Sequence, residues 1–257
     1  MAEQFTAIIP AGGRFTQRSD SSVVIKALLE INGKSLLEIL LLSLSRVDAV
    51  GRTIVVGPKS LHSLTSEYEA VWIDDTGSLL GNVQAGIRFE KLDSDSRIAV
   101  FAADMVHPKP ESIAAFLFES SGDAKLTIPL ISKASFEAAY PGSPSTFVKL
   151  KEGEVTTGSM LTCPAGLIEN PPPAVAALLG NRKSQIAMAK ALGWGVVWGF
   201  MTGSLSIDNL EARITKLVGV NAKAIRDSAP DLAMDIDDER DLEYAASLSP
   251  SDPIMVD

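Results

Sequence analysis

Short apolar runs alternate with longer amphipathic stretches along the first half of the chain. Such short runs predict strands, and they occupy residues 5–9, 53–56, 70–73, 98–102 and 126–131. The stretches between them have the apolar spacing of helices, which we predict at residues 36–46, 60–68, 81–92 and 110–120. Alternating strands and helices indicate a parallel sheet with helices on both faces. The predicted fold class is therefore α/β, a three-layer α/β/α arrangement with a mostly parallel sheet.

Two of the predicted helices have recognisable first turns. Ser35 is followed three residues later by Glu38, the spacing of a capping box at the start of a helix. Pro110 occupies the first turn of another helix, a position that proline tolerates well. Both helices are therefore expected to begin at these residues.

The pattern changes after residue 140. Two strands joined near Glu152 and Gly153 are followed by helices behind a proline-rich start. A further helix, a short strand near residues 232–236 and a final helix complete the pattern. We expect residues 1–257 to form one domain, in which residues 140–220 are an insertion that packs over the sheet and covers the substrate.

Charge and composition exclude several classes of partner. The chain of 257 residues has a net charge of −9 and no run of lysine or arginine, which argues against nucleic acid and against an anionic membrane surface. Its most apolar stretch, residues 36–44, is too short to span a bilayer. The single cysteine, Cys163, rules out an intramolecular disulfide and fits a reducing compartment. Because the N-terminus has no signal-peptide pattern, the expected location is the cytoplasm.

A pair of glycines follows the first predicted strand. Ligands of parallel sheets bind beyond the carboxyl ends of the strands, and Gly12 and Gly13 lie at that edge. The dinucleotide pattern G-x-G-x-x-G is absent from this turn. Backbone N–H groups of a glycine turn can cradle a phosphate, and the cations that follow, Arg14, Arg18 and Lys26, suit a triphosphate. A tight turn with solvated arginines explains the same residues equally well.

Aspartates follow two of the later strands. Asp104 comes after the apolar run at residues 98–102, where a carboxylate packs poorly but suits a hard cation such as magnesium. The alternative is that it caps the following turn. Asp235 and Asp237 end a short predicted strand, and we expect only one of them to face a given site. On spacing alone, Asp237 or Asp238 is better placed to cap the final helix.

Three parts of the sequence resemble a known superfamily in their order and context. They are AIIPAGG with KALLEINGKSLLE, FAADMVHP, and AMDIDDERDLEYA. Together they resemble the sugar- and cofactor-nucleotidyltransferase superfamily, which includes molybdenum-cofactor guanylyltransferase-like proteins, cytidylyltransferases and sugar-phosphate nucleotidyltransferases. The resemblance covers most of residues 1–130 and 230–247. It implies the nucleotide-diphospho-sugar transferase fold, which is glycosyltransferase-A-like.

The resemblance implies a triphosphate at the glycine turn. Ala11, Gly12 and Gly13 match the loop that wraps the triphosphate, and Lys26 matches a lysine that contacts phosphate. The matched loop usually continues Gly-x-Arg, whereas here it reads RFTQR. Either arginine of this stretch could serve the phosphates, or neither.

The resemblance also implies a metal site and a reaction. Asp104 and Asp237 match the residues that hold magnesium, with Asp235 nearby, and Asn82 lies where the nucleobase is read. The implied reaction moves a nucleoside monophosphate from a nucleoside triphosphate to an anionic acceptor, a phosphate or a carboxylate, and releases pyrophosphate. The expected partners are therefore a nucleoside triphosphate and a small-molecule acceptor, with a homo-oligomer left open.

Two other functions compete with this interpretation, in which Lys26 and Asp104 are the catalytic residues. A glycosyltransferase of the same fold would need a D-x-D motif, but Asp104 is followed by Met105 and Val106. A non-catalytic nucleotide-binding or regulatory protein would explain the altered glycine loop. Release of pyrophosphate separates the enzyme from the binding protein.

Overall fold

A computed structural model of the protein describes residues 4–16, 22–173, 175 and 204–248. The strands are β1 Phe5–Pro10, β2 Arg14–Thr16, β3 Val23–Ile25, β4 Glu30–Ile31, β5 Lys34–Ser35, β6 Val50–Gly57, β7 Val71–Asp74, β8 Arg97–Phe101, β9 Leu126–Ser132, β10 Val148–Leu150, β11 Gly153–Thr157, β12 Met160–Pro164 and β13 Ala222–Ile225. The helices are α1 Leu36–Leu44, α2 His62–Glu67, α3 Leu79–Glu90, α4 Pro110–Ser120, α5 Lys133–Ala139, α6 Ala165–Glu169, α7 Ile207–Val218 and α8 Glu239–Ser247.

One large sheet organises the described residues. β1 lies between β6 and β8 and is parallel to both, and β7 pairs with β6 in the same direction. β12 lies between β8 and β9 and runs antiparallel to them. β9 pairs in parallel with β13 along its first part and antiparallel with β11 along its last residues. The sheet is therefore mixed but mostly parallel, as the alternating pattern predicts.

Helices cover both faces of this sheet. Successive side chains of a strand point to opposite faces, and β1 is buried on both. Phe5 and Ile9 join the hydrophobic cluster on the side of α1 and α4, whereas Ile8 joins the cluster on the side of α3. The predicted three-layer α/β/α arrangement is thus confirmed. Within the described part of the chain, no helix has both the length and the apolar character needed to cross a membrane.

The two predicted helix starts are confirmed. The Ser35 hydroxyl accepts from the Glu38 N–H at 3.2 Å, and the Glu38 carboxylate accepts from the Ser35 N–H at 3.4 Å, which completes the capping box of α1. α4 begins at the predicted proline. Its first turn is also capped from a distant segment, because Asp231 accepts from the Lys109 N–H and the Ser112 hydroxyl.

Part of the segment at residues 140–220 lies within the sheet and not over it. β10 and β11 form a hairpin that extends the sheet beyond β9, and β12 is one of its interior strands. Thr162 and Cys163 of β12 are fully buried, so this strand contributes to the core. The finding corrects the predicted insertion for these residues. Residues 174 and 176–203 lie outside the described part, and a covering role for them stays a prediction.

Two short elements differ from the predicted pattern. The polar loop expected after the glycine turn contains the antiparallel hairpin of β2 and β3. The strand expected near residues 232–236 is instead a 3₁₀ helix at Pro230–Ala233, followed by an isolated antiparallel bridge between Asp235 and Met105. Proline is favoured in the first turn of a helix, which explains why this segment begins helically.

Candidate functional site

A cavity of about 770 Å³ opens where β1, β7 and β8 reach their carboxyl ends. Its walls include the glycine turn after β1, the turn after β7 and the segment after β8. The crevice beyond the carboxyl ends of parallel strands is the usual ligand site of an open α/β sheet. The sequence predicts a site at this edge, and the cavity lies there.

The residues of the glycine turn have different roles. Ala11 is fully buried and donates its N–H to Val56 O at 2.8 Å, so it anchors the start of the turn to β6. A Cβ added to Gly12 would lie 2.8 Å from Asp75 Oδ1, whereas one added to Gly13 would approach Lys26 Cδ only to 3.8 Å. A side chain at residue 12 would therefore have to displace the carboxylate of Asp75, whereas a Cβ at residue 13 would make only an ordinary contact with the side chain of Lys26.

The β2–β3 hairpin returns the chain to the glycine turn. Arg14 pairs with Ile25 in this hairpin, and the Lys26 N–H donates to Gly13 O at 2.9 Å. The hairpin therefore places Lys26 beside the glycines despite the intervening loop. Arg14 lies at the cavity as predicted. Arg18 lies outside the described residues.

The side chain of Lys26 reaches the aspartates predicted as metal ligands. Its Nζ donates to Asp104 Oδ2 at 2.9 Å, to Ile236 O at 2.5 Å and to Asp237 Oδ1 at 3.3 Å. Burial by itself would lower the pKa of Lys26, but the carboxylates of Asp104 and Asp237 outweigh burial and raise this pKa above its ordinary value. The ammonium group is therefore charged throughout the physiological pH range.

Asp104 and the C-terminal aspartates are brought together by backbone pairing. Val106 donates its N–H to Met234 O at 2.8 Å, and Ile236 donates to Asp104 O at 3.2 Å. Asp235 and Asp237 both line the cavity, so the expectation that only one of them would face it was wrong. Residues two apart in extended chain point to the same side.

The cap of the final helix is Asp238 and not Asp237. The Asp238 side chain accepts from the Arg240 N–H at 2.8 Å, and Asp241 completes a capping box. The side chain of Asp237 is 85% exposed and pairs with Lys26. Asp237 is therefore available to a ligand in the cavity.

Asp235 is the aspartate with the most perturbed pKa in this group. Its Oδ2 accepts from the Ser159 hydroxyl at 2.6 Å. Burial, reinforced by the negative charges of Asp104 and Asp237, raises the pKa of Asp235 to about 7, although the Ser159 hydroxyl opposes the shift. The Lys26 ammonium group pairs with Asp104 and Asp237 but not with Asp235. A divalent cation could neutralise the negative charge that remains.

The aspartates at the cavity suit a metal ion whose coordination is completed by the phosphates of the substrate. In the part of the chain that the structure describes, no three His, Cys, Asp or Glu side chains converge closely enough to hold an ion by themselves. Magnesium is commonly held by one or two carboxylates together with substrate phosphates, and not by an all-protein cage. The aspartates at the cavity fit that arrangement.

Asn82 lies at the cavity, but its amide is occupied. Its Oδ1 accepts from the Thr76 N–H at 2.8 Å and from the Thr76 hydroxyl at 2.6 Å, and its Nδ2 donates to Asp75 Oδ1 at 2.9 Å. Asn82 therefore holds the turn that carries Asp75. Sequence analysis missed Asp75, although it follows a strand of the same edge just as Asp104 does.

The fold and the site together define a class of protein. A mostly parallel sheet carries, at the ends of its strands, a glycine turn, a partly buried lysine and several aspartates in one cavity. This combination is that of a nucleotidyltransferase. More particularly, the chain belongs to the MobA-like NTP transferase domain family, whose model matches residues 7–189.

Several solved structures share the fold of this chain. A hypothetical transferase from Thermus thermophilus is 28% identical, with a TM-score of 0.79 over 93% of this chain and 99% of that one. A CMP:2-keto-3-deoxy-manno-octonic acid synthetase complexed with CTP is 12% identical, with a TM-score of 0.61 over 95% and 98%. A 2-C-methyl-D-erythritol 4-phosphate cytidylyltransferase, also from Thermus thermophilus, is 15% identical, with a TM-score of 0.55 over 95% and 98%.

The last two structures share the fold with this chain. No curated protein matches the sequence. The family assignment favours the nucleotidyltransferase over the glycosyltransferase and over the non-catalytic nucleotide-binding protein.

Proposed function

We propose that the protein uses magnesium to transfer a nucleoside monophosphate from a nucleoside triphosphate to an anionic small molecule, with release of pyrophosphate. The observation that carries this proposal is the position of the Lys26 ammonium group. It lies beside the glycine turn and within hydrogen-bonding distance of Asp104 and Asp237. One cation thus adjoins both the predicted phosphate cradle and the predicted metal ligands.

The chain's own groups account for binding of the triphosphate. Backbone N–H groups of a glycine turn can donate to phosphate oxygens, and Gly12 and Gly13 both line the cavity. Arg14 is exposed at the cavity and supplies a guanidinium group, which pairs well with phosphate. These cations matter because the chain as a whole carries a net charge of −9.

The proposal assigns magnesium to Asp104 and Asp237, with Asp235 as a further carboxylate. When bound, the ion would supply charge neutralisation at the phosphates. The Lys26 ammonium group would then move from the aspartates to the phosphates, where it again has an anionic partner. The excess of carboxylates over ammonium groups at the cavity supports this assignment.

The reaction needs positioning and charge neutralisation. An acceptor oxygen forms a bond to the α-phosphorus, and the bond from that phosphorus to the oxygen bridging the β-phosphate breaks. The electron pair leaves with pyrophosphate, whose added charge Lys26 and Arg14 would stabilise. No covalent intermediate with the protein is required.

We also propose a cytoplasmic location and a phosphate or carboxylate as the attacking group of the acceptor. A free, buried cysteine supports the location, because such thiols persist in a reducing compartment. The anionic acceptor follows from the resemblance.

The test is release of pyrophosphate. Purified protein is incubated with magnesium, each of the four common nucleoside triphosphates, and a panel of sugar phosphates, polyol phosphates and sugar acids. We expect one combination to release pyrophosphate, and Asp104→Asn to abolish the release. Asp123→Asn, an exposed aspartate on another surface, is the matched control and should retain activity. Binding of triphosphate without turnover by any acceptor class would favour the non-catalytic alternative.

A further inference from the structure

The hydroxyl group of Ser159 joins the candidate site from an interior strand of the sheet. Ser159 directly precedes β12, and its Oγ donates to Asp235 Oδ2 at 2.6 Å. Its backbone is held on both sides: the Ser159 N–H donates to Leu232 O at 2.7 Å, and Ser159 O accepts from the Ala102 N–H at 2.8 Å. The residue thus links the segment after β8 to the segment that carries Asp235.

The bond to Ser159 matters because of what surrounds Asp235. Asp235 shares the cavity with the carboxylates of Asp104 and Asp237, which repel it. The three hydrogen bonds of the Lys26 ammonium group go to Asp104, Asp237 and Ile236 O. Asp235 is instead oriented by a neutral donor. The hydrogen bond to Oδ2 fixes the orientation of the carboxylate, and with it the direction of Oδ1.

We propose that Ser159 is a positioning residue that orients the Asp235 carboxylate toward the cation bound with the triphosphate. The proposal rests on the proposed function, and it assigns to Asp235 a part in metal binding beside Asp104 and Asp237. Ser159 itself touches neither the metal nor the substrate. Its effect reaches the site only through Asp235.

A purely structural role for Ser159 predicts a different result. Ser159→Ala keeps both backbone hydrogen bonds, so the link between the two segments persists and only the hydroxyl is lost. Ser228→Ala is a matched control, since the Ser228 hydroxyl also donates over 2.6 Å, but to Ile225 O and away from the cavity. Loss of packing alone would affect the two variants alike.

The test measures binding of Mn²⁺, a spectroscopic substitute for magnesium, in the presence of a non-hydrolysable triphosphate. We expect Ser159→Ala to weaken Mn²⁺ binding about tenfold, the size expected for a hydrogen bond to a charged group. Ser159→Thr should restore most of this affinity, and Ser228→Ala should equal the wild type. In an Asp235→Asn background, Ser159→Ala should have no further effect, because the group through which it acts is already altered.

The outcomes separate the two proposals. If wild-type protein binds Mn²⁺ with the triphosphate and Ser159→Ala binds it equally well, the role of Ser159 is refuted while the proposed function stands. An equal loss in Ser159→Ala and Ser228→Ala refutes it as well. If the wild type binds no Mn²⁺ with any of the four triphosphate analogues, the proposed function is refuted and this inference with it.

Should Ser159→Ala not fold, Ser159→Thr and Ser159→Cys provide the same comparison, and unchanged affinity in Ser159→Cys would count against the proposal.

Discussion

The ammonium nitrogen of Lys26 lies 2.9 Å from Asp104 Oδ2, although the two residues are 78 positions apart in the chain. Their side chains are only 16% and 17% exposed. The Lys26 ammonium group therefore pairs with one oxygen of Asp104 among the aspartates. A metal at that oxygen would compete with Lys26, and a triphosphate offers Lys26 new partners. Nucleotide and metal are accordingly expected to bind together.

Replacement of Lys26 by methionine separates these two ligands. Lys26→Met removes the cation from Asp104, so the affinity for Mn²⁺ alone should rise. The same change removes a charged partner of the triphosphate, so nucleotide affinity should fall about tenfold or more. Calorimetry with each ligand measures both effects. Lys59→Met, which loses the same charge at an exposed site, should change neither. A fall in affinity for Mn²⁺ alone would contradict this account of Lys26.

Asp237 and Asp238 are neighbours with different predicted roles. Asp237→Asn should leave the melting temperature without ligand unchanged, because the residue is exposed and does not cap α8. It should sharply raise the magnesium concentration needed for half-maximal turnover. Asp238→Ala should do the reverse, with a lower melting temperature and normal magnesium dependence, since it removes the cap. Normal magnesium dependence in Asp237→Asn would assign the metal to Asp104 and Asp235.

The contact between Gly12 and Asp75 predicts a coupling between substitutions. A Cβ at residue 12 would lie 2.8 Å from Asp75 Oδ1, and Asp75 is held by Asn82. Gly12→Ala should therefore lower the free energy of unfolding by about 1–2 kcal/mol, but by almost nothing in an Asp75→Ala background. Gly13→Ala is the control and should be tolerated in both. Urea denaturation of the single and double variants measures these free energies of unfolding. An equal decrease for Gly12→Ala in the two backgrounds would disprove the contact.

The buried thiol of Cys163 predicts a particular pH dependence of stability. Burial raises the pKa of Cys163 from 9.0 to about 12, although Arg97 opposes the shift. The unfolded chain therefore ionises first, and the stabilising effect of a protonated thiol is lost as pH rises from 9 toward 12. The loss approaches about 1.4 kcal/mol per pH unit.

Comparison with Cys163→Ala isolates this contribution, because every other titrating group is shared. The difference in free energy of unfolding between wild type and Cys163→Ala should shrink above pH 9. A difference that stays constant from pH 8 to pH 11 would show that the thiol does not ionise more easily in the unfolded chain. Denaturation of the wild type and of Cys163→Ala under reducing conditions gives the two free energies of unfolding at each pH.

Local sequence patterns were sufficient where structure depends on near neighbours. The capping box of Ser35 and Glu38 and the proline start of α4 are set within one helical turn, and both helices begin as predicted. The five strands predicted in the first half of the chain are also present, and a central one such as β1 buries apolar residues on both faces. The predicted Asp104 lies at the cavity for the same reason, since it follows one of these strands.

Long-range pairing accounts for what the sequence did not predict. The strand β12 is inserted between β8 and β9 by contacts that no local pattern encodes. Likewise, the role of Asp75 depends on its proximity to Gly12, and that of Ser159 on a hydrogen bond to a residue 76 positions away. The expectation that only one of Asp235 and Asp237 would face the site failed for a local reason instead, because residues two apart in extended backbone point to the same side and both line the cavity.

We propose that the cavity binds a nucleoside triphosphate together with magnesium. The most direct measurement is the melting temperature of the wild-type protein with each of the four triphosphates, with and without magnesium. A triphosphate at 100 times its Kd should stabilise the protein by about 2.7 kcal/mol, which is a rise of about 5–10 °C. We expect at least one triphosphate to produce this rise with magnesium, and Asp104→Asn to remove it. If no triphosphate raises the melting temperature in the presence of magnesium, the account is contradicted.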